Sequence, residues 1–283
     1  MGKMIRSRTM DKTKFRELGK AGASFPMLPE GKTEFEDWAA VQYNGPLTAL
    51  VCGDIHAPFY NRPAIIAAIE RAKKAGVDFI LLNGDTLDCH AISRWETDPR
   101  KRNFAGEVES VRSVLTTFRA EFPDAKIVFK MGNHEERYQS YMQVKCAEFL
   151  DVDDFQFEKL LRFEENNIEM VTDRRPIRLG QLNVLHGHEY RFSMSNPVNP
   201  SRGMFLRGCA HALVSHFHQT SQHSQNTLED DSISCWSTGA LCDMHPNYMP
   251  LNKWNLGAAI VGINADGGFE VDNFRIVKGK DYK

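Results

Sequence analysis

The chain has no run of about 18 apolar residues, so no segment of it is built to span a membrane. Its first residues lack an apolar signal core, which argues against secretion. The six cysteines (Cys52, Cys89, Cys146, Cys209, Cys235 and Cys242) are scattered, with no C-x-x-C pair. That spacing excludes a zinc ribbon or a disulfide framework and reads as reduced thiols. Together these absences predict a cytoplasmic location. Net charge is also lacking: 35 basic against 37 acidic residues leave −2. No global basic field exists of the kind that marks a nucleic-acid coat protein. No internal repeat or low-complexity stretch stands out. Charge asymmetry is confined to residues 1–20, where seven basic residues face only Asp11 and Glu17. Such a segment reads as a solvated tail or as an arm that touches a polyanion.

What is present is enough chain, at 283 residues, for one sizeable core. Residues 1–46 are polar and charged, with turn signals at Pro29-Glu30-Gly31 and Gly45-Pro46, and read as an N-terminal extension. Residues 47–283 read as one domain. Leu47–Cys52, Asp78–Asn83 and Lys126–Met131 are short apolar runs that predict buried strands. Between them, Pro63–Ala75 and Glu107–Phe122 have apolar residues at helical spacing. Helical patterns follow at Tyr138–Leu150, Asp154–Phe163 and Gly203–Ala210. Pro176–Leu179 and Gln181–Leu185 flank Gly180 as a hairpin, and Ala212–Ser215 is a short strand. Ser232–Ser237, Ala258–Asn264 and Gly268–Val277 alternate or run apolar, so the chain begins βαβαβ and ends all-β.

Polar clusters sit where these strands end: Asp54-Ile55-His56, Gly84-Asp85, Gly132-Asn133-His134-Glu135, His186-Gly187-His188 and His216-Phe217-His218. In open α/β sheets, loops at the carboxyl ends of strands converge, which brings residues 54 to 218 into one cleft. Asp and His suit Mn²⁺, iron and Zn²⁺, and an Asn carbonyl completes a ligand shell. His216 and His218 lie two residues apart, on one side of an extended segment, a spacing that suits chelation. Two ions about 3.5–4 Å apart would bridge a hydroxide and clamp a phosphoryl group, with an imidazole protonating the leaving oxygen.

The order D-x-H, G-D-x-x-D, G-N-H-E, H-G-H, x-H-x-H resembles the calcineurin-like metallophosphoesterase superfamily over roughly residues 48–220. The chain is similar to that family's small, uncapped phosphodiesterase- and nuclease-like members, many of them phage-encoded. The resemblance implies an α/β fold: a four-layer α-β-β-α sandwich with two central mixed sheets. It also implies two divalent metal ions. Asp54, His56 and His218 would bind the first, Asn133, His186 and His216 the second, and Asp85 would bridge both. His134 would be the general acid and Asp88 would orient it. Mn²⁺ is the first expectation, with Fe, Zn, Ni and Co as alternatives.

Two departures from the family pattern stand out. Ser215 takes the place of a usual Gly, which predicts a strained backbone there. Cys89 and Met131 stand where the phosphoprotein-phosphatase branch carries arginines, which argues against that branch. His188 either touches substrate or hydrogen-bonds the scaffold. Arg137 either grips phosphate or forms a structural ion pair, and Glu135 either orients the loop or faces solvent. His90, His211, His223 and His245 belong to no motif. Arg94, Trp95, Arg100, Lys101 and Arg102 follow the Asp88 loop and would seat a nucleic-acid strand or simply be solvated. The resulting expectation is a phosphodiesterase acting on nucleotides, DNA or RNA, with no membrane partner. A phosphomonoesterase competes with it, and so does a catalytically silent binding module. The module is disfavoured because no expected ligand is missing and His134 and Asp88 are both present.

Overall fold

Along Leu47–Cys52, successive side chains enter two different apolar layers. Leu50 and Cys52 pack with one cluster, Ala49 and Val51 with another. A strand buried on both faces needs a layer on each side, and this chain supplies helices on one and a second sheet on the other. The computed structural model describes residues 31–33, 38–95, 98–190, 198–229 and 231–282. Ala39–Lys283 form one compact unit. Of Met1–Trp38, the other unit, only 31–33 and Trp38 are described, so the basic segment 1–20 lies outside the described residues.

The strands in chain order are β1 (Val41–Tyr43), β2 (Leu47–Cys52), β3 (Phe79–Asn83), β4 (Lys126–Lys130), β5 (Ile168–Val171), β6 (Ile177–Leu179) and β7 (Leu182–Leu185). Then follow β8 (Ala212–Val214), β9 (Ser221–Asn226), β10 (Ser232–Ser237), β11 (Leu256–Ile263), β12 (Phe269–Val277) and β13 (Lys280–Tyr282). One sheet runs β13-β12-β11-β2-β3-β4-β5, parallel from β2 to β5 and antiparallel from β2 through β11 to β13. The other runs β1-β6-β7-β8-β10-β9, with β6–β7 and β9–β10 antiparallel and the remaining pairs parallel. Both sheets are therefore mixed. Residues 41–43, which the sequence places in the N-terminal extension, pair with β6 in register Val41 to Ile177.

The helices are α1 (Arg62–Lys74), α2 (Phe104–Glu121), α3 (Glu135–Lys145), α4 (Phe157–Leu160) and α5 (Pro200–Gly208). Asn61, Asn103 and Asn199 cap α1, α2 and α5, each accepting a backbone N–H from the first turn. Helices α1 to α4 cover the outer face of the first sheet, where Ile80, Leu82, Ile127 and Phe129 meet Ile69, Leu115 and Phe118. Met204 and Phe205 of α5 cover Ala212 and Val214 on the outer face of the second. Between the sheets lie Val51, Leu81, Val128, Leu179, Val184, Leu213 and Val261. The layers are thus α-β-β-α. No described helix is long and apolar enough to cross a membrane.

The expected helix over Tyr138–Leu150 instead begins at Glu135, on the motif itself, and ends at Lys145 before a 3₁₀ turn at Ala147–Phe149. Of Asp154–Phe163, only Phe157–Leu160 is α-helical. Strand β9 (SQHSQN) carries no apolar signal because it is a sheet edge with mostly solvent-facing side chains.

Candidate metal centre

Parallel strands β2, β3 and β4 of one sheet and β7 and β8 of the other end at the same side. Their loops deliver Asp54 and His56, Asp85, Asn133 and His134, His186, and His216 and His218. Backbone hydrogen bonds lock the loops to one another. Asp54 N donates to Gly84 O at 3.0 Å, and His56 N to Asp85 O at 2.9 Å. The carboxylates join in: His216 N donates to Asp54 Oδ2 at 2.8 Å, and His134 N to Asp85 Oδ1 at 2.9 Å. Such crowding needs glycine at Gly84, where a Cβ would stand 2.5 Å from His186 Nδ1.

Five of the seven expected ligands have left-handed backbones: Asp54 (φ 53°), His56 (50°), Asp85 (52°), His216 (66°) and His218 (55°). Each costs up to about 1–2 kcal/mol for an L-residue and persists only where surroundings over-determine it. Ser215 is not among them, so the strain expected there falls on its neighbour His216. The serine hydroxyl is buried and is bonded by Asn83 Nδ2 at 3.0 Å and Thr238 Oγ1 at 3.1 Å. It ties β3 to the second sheet, a role glycine has no atom to fill.

Three buried carboxylates hold the loops from behind. Glu135 is fully buried, not solvent-facing, and accepts N–H groups from Asp85, Thr86, Leu87 and Gly132 at 2.7–3.0 Å. Burial and the Asp85 charge push its pKa above the ordinary value, while those donors pull it down. Glu107 accepts from His90 N and Ala91 N, and burial pushes it up to about 7. Glu189 accepts from His186 N at 3.1 Å and Gly187 N at 2.6 Å. Its partner is Lys130, a fully buried lysine 3.2 Å from Glu189 Oε1 that also donates to Arg175 O at 2.9 Å. Burial works against the Glu189 charge, but Lys130, His188, His186 and the Gly187 N–H together outweigh it and hold the carboxyl below its usual range. Lys130→Met leaves the Glu189 carboxylate without its lysine, and is expected to destabilise the fold by about 3–5 kcal/mol. The double change Lys130→Met/Glu189→Gln should cost less than the single one. Chemical denaturation of the three proteins checks this, and a Lys130→Met loss below about 1 kcal/mol, the worth of an exposed pair, would contradict it.

The donor atoms form two groups that share Asp85. In the first, His218 Nε2 is 3.3 Å from both His56 Nε2 and Asp54 Oδ1, and His56 Nε2 is 3.9 Å from Asp85 Oδ2. In the second, His186 Nε2 is 3.3 Å from both Asp85 Oδ2 and Asn133 Oδ1, and His216 lies within reach of both His186 and Asp85. Metal–ligand bonds of about 2.1 Å put neighbouring ligands roughly 3.0–3.4 Å apart, so the 3.3 Å spacings fit shared cations, while the His56–Asp85 spacing is wider. Tautomers fit as well. His186 Nδ1 is 2.7 Å from Asn83 O and His56 Nδ1 is 2.8 Å from Asp88 Oδ1, which leaves each Nε2 facing the centre. Asp54 Oδ1 is buried with no hydrogen-bond partner, an orphan that a cation would satisfy.

Charge points the same way. Burial would lower the His186 pKa, but Asp85 and Asp54 outweigh it and push it up to about 10. The carboxylates thus demand positive charge at this point. Burial and the neighbouring His186 charge push His216 down to about 4, so that imidazole stays neutral. Cys242, missed by sequence reasoning, is buried within ligand range of His56 and His218. Burial and then the Asp54 charge push its thiol pKa well up.

His134 stands over the pair, with Nε2 3.8 Å from Asp85 Oδ2. Its Nδ1 is 2.8 Å from Asp88 O and 3.0 Å from Asp88 Oδ1. Asp88 therefore faces His134 and His56 together. Arg137 donates from Nη2 to His134 Nε2 at 2.8 Å and from Nη1 to Asp88 O at 3.1 Å. His188 Nε2 is 2.9 Å from Glu136 Oε1, and Arg174 holds that glutamate with two bonds. Of the basic loop, Arg94 stacks on Trp95 and Arg100 is engaged by Asp98. Lys101 reaches a cleft that also contains His56 and Asp88.

Among solved structures, the fold is similar to Yfce, a phosphoesterase from E. coli, at 15% identity and a TM-score of 0.38, covering 80% of this chain and 98% of that one. A dimetal phosphatase from Danio rerio matches at 11% identity and a TM-score of 0.43, covering 84% and 98%. Gene 54 protein of Mycobacterium phage L5 is 27% identical over 145 residues, 49% of this chain. The match spans only about half of that relative, 56% of its length. A family model described as calcineurin-like phosphoesterase matches residues 47–247, more than half of the chain. The chain belongs to the calcineurin-like phosphoesterase family.

Proposed function

We propose that this chain is a dinuclear metal-dependent phosphoesterase that cleaves phosphodiester bonds in nucleotides or nucleic acid. Membership of a family of metal-dependent phosphoester hydrolases supports the chemistry in general. The observation that carries the dinuclear reading is the position of Asp85 Oδ2, within 3.3 Å of His186 Nε2 and 3.9 Å of His56 Nε2. Asp54, His56 and His218 would hold one ion, Asn133, His186 and His216 the other, and Asp85 both. Two such ions, when bound, activate water and neutralise the charge that grows on the phosphoryl group. Mn²⁺ is the expected activator for this oxygen and imidazole set.

The protein's own part is proton management and orientation. Asp88 accepts from His134 Nδ1 and so turns Nε2 toward the centre. Burial opposes a charge on His134, but Asp85 and Asp88 outweigh it and raise its pKa, which suits an acid that gives its Nε2 proton to the leaving oxygen. Arg137 occupies Nε2 in this structure, so the acid role requires the guanidinium to let go. A bound phosphate oxygen gives it a stronger partner.

Preference for a diester is supported by two uncharged positions in the motifs. Cys89 and Met131 are buried and uncharged where phosphatase arginines would stand, which leaves less positive charge for a monoester dianion. Arg137 favours the competing monoester reading. The test uses metal-stripped protein with and without Mn²⁺ on bis-p-nitrophenyl phosphate and p-nitrophenyl phosphate. Mn²⁺-dependent cleavage favouring the diester is expected. Equal or faster monoester turnover would overturn the preference but not the chemistry.

A further inference from the structure

Next to His56 and Asp88, the segments that follow β2, β3 and β10 enclose a cleft of about 490 Å³. That size lies in the range of small-molecule sites, roughly 300–1,000 Å³. Two of its walls are aromatic. On one, Phe59 meets His90 edge-on, with ring centroids 5.6 Å apart. On the other, Trp254 stands between Tyr248 at 6.2 Å and the expected ligand His218 at 4.2 Å. The walls are fixed relative to each other: Asp243 N donates to Phe59 O at 2.7 Å, and Asn61 N donates to Leu241 O at 2.7 Å. Lys101 adds a positive charge, and Asn247 and Asp243 add hydrogen-bonding edges.

Exposed aromatics scattered singly need no explanation. Here Phe59, 47% exposed, and Tyr248, 72% exposed, line the same cleft, and neither belongs to a core cluster. Flat apolar faces with polar edges suit a flat partner that also carries donors and acceptors along its rim. Lys101 favours a partner that carries negative charge, against the Asp88 and Asp243 carboxylates that line the same cleft. A base attached to the phosphate at the centre has all three properties.

We propose that this cleft is the subsite for the base of the nucleotide whose phosphate is cleaved, a reading that rests on the proposed phosphoester chemistry. Phe59, Tyr248 and Trp254 are its stacking surfaces and set specificity, while the metal-binding loops do the chemistry.

Two substrates that share a leaving group isolate the base: thymidine 5′-(p-nitrophenyl phosphate) and ethyl p-nitrophenyl phosphate. Wild-type kcat/KM is expected to favour the nucleoside ester by about tenfold or more, the size of one base–aromatic stack. In Phe59→Ala/Tyr248→Ala that ratio should fall toward one. A wild-type ratio near one, or an unchanged ratio in the double variant, overturns the subsite. If Mn²⁺-loaded wild-type protein turns over neither ester, the phosphoester reading fails on that result alone. Calorimetric titration with thymidine 5′-monophosphate then decides the subsite. Binding that weakens about tenfold in the double variant supports it, and no binding, or equal binding by both proteins, overturns it.

Discussion

His134→Ala is expected to lower turnover by about 10²–10⁴-fold, the usual contribution of a general acid, with metal content unchanged. The separation of effects follows from the geometry. What sets the imidazole apart from the other donors is its partner, not its distance: its Nε2 lies 3.8 Å from Asp85 Oδ2, against 3.9 Å for His56 Nε2, but Arg137 Nη2 donates to it at 2.8 Å. Its backbone N–H, which Asp85 Oδ1 accepts, survives the substitution and keeps the loop in place. Glu135, the residue that clamps the loop by four backbone bonds, is also untouched. What disappears is the nitrogen that would deliver the proton and one of the two imidazoles that Asp88 faces. Steady-state kcat on bis-p-nitrophenyl phosphate, with metal analysis of the same preparation, reads both quantities. A loss of less than roughly fivefold would be too small for a general acid and would sink the assignment.

Asp85→Asn should remove more. The carboxylate faces His56 and His186 and is held well below its usual pKa by His134, His186 and His56 against the pull of burial. An amide keeps the shape and the bond from His134 N, yet loses the charge that two cations would share. Loss of an outer-shell partner alone costs about 10–100-fold in metal affinity or activity, so loss of a bridging ligand should exceed that range. Metal-dependent thermal stabilisation should shrink in parallel, because binding to the folded state is what raises the melting temperature. Unchanged metal stoichiometry and an unchanged melting shift would contradict the bridging position.

Much of this centre was legible in the sequence because its chemistry is local. Asp54-x-His56, Asn133-His134 and His216-x-His218 each follow a short apolar run, and a strand end is where ligands gather in such sheets. Apolar β2, β3 and β4 were legible for the same reason. Strand β9 and the short edge strand β5 were not, since an edge needs no continuous apolar run. Residues that act through the backbone also escaped. Glu135 reads as one more polar neighbour of His134, and only the fold shows four N–H groups converging on it. Lys130 and Glu189 lie 59 positions apart, so no motif links them. Cys242 and Trp254 reach the centre from the long β10–β11 connection, whose path no local pattern predicts. Ser215 shows the converse. The substitution was visible, but the strain belongs to His216, and the hydroxyl serves as a tie to Asn83 and Thr238.

The central claim is that two ions sit in one centre joined by Asp85. Electron paramagnetic resonance of the Mn²⁺-loaded protein, combined with metal analysis, tests it most directly. Two ions per chain with the multiline spectrum of an exchange-coupled pair is the predicted result. One ion per chain, or two that give only the six-line signal of isolated Mn²⁺, would contradict it.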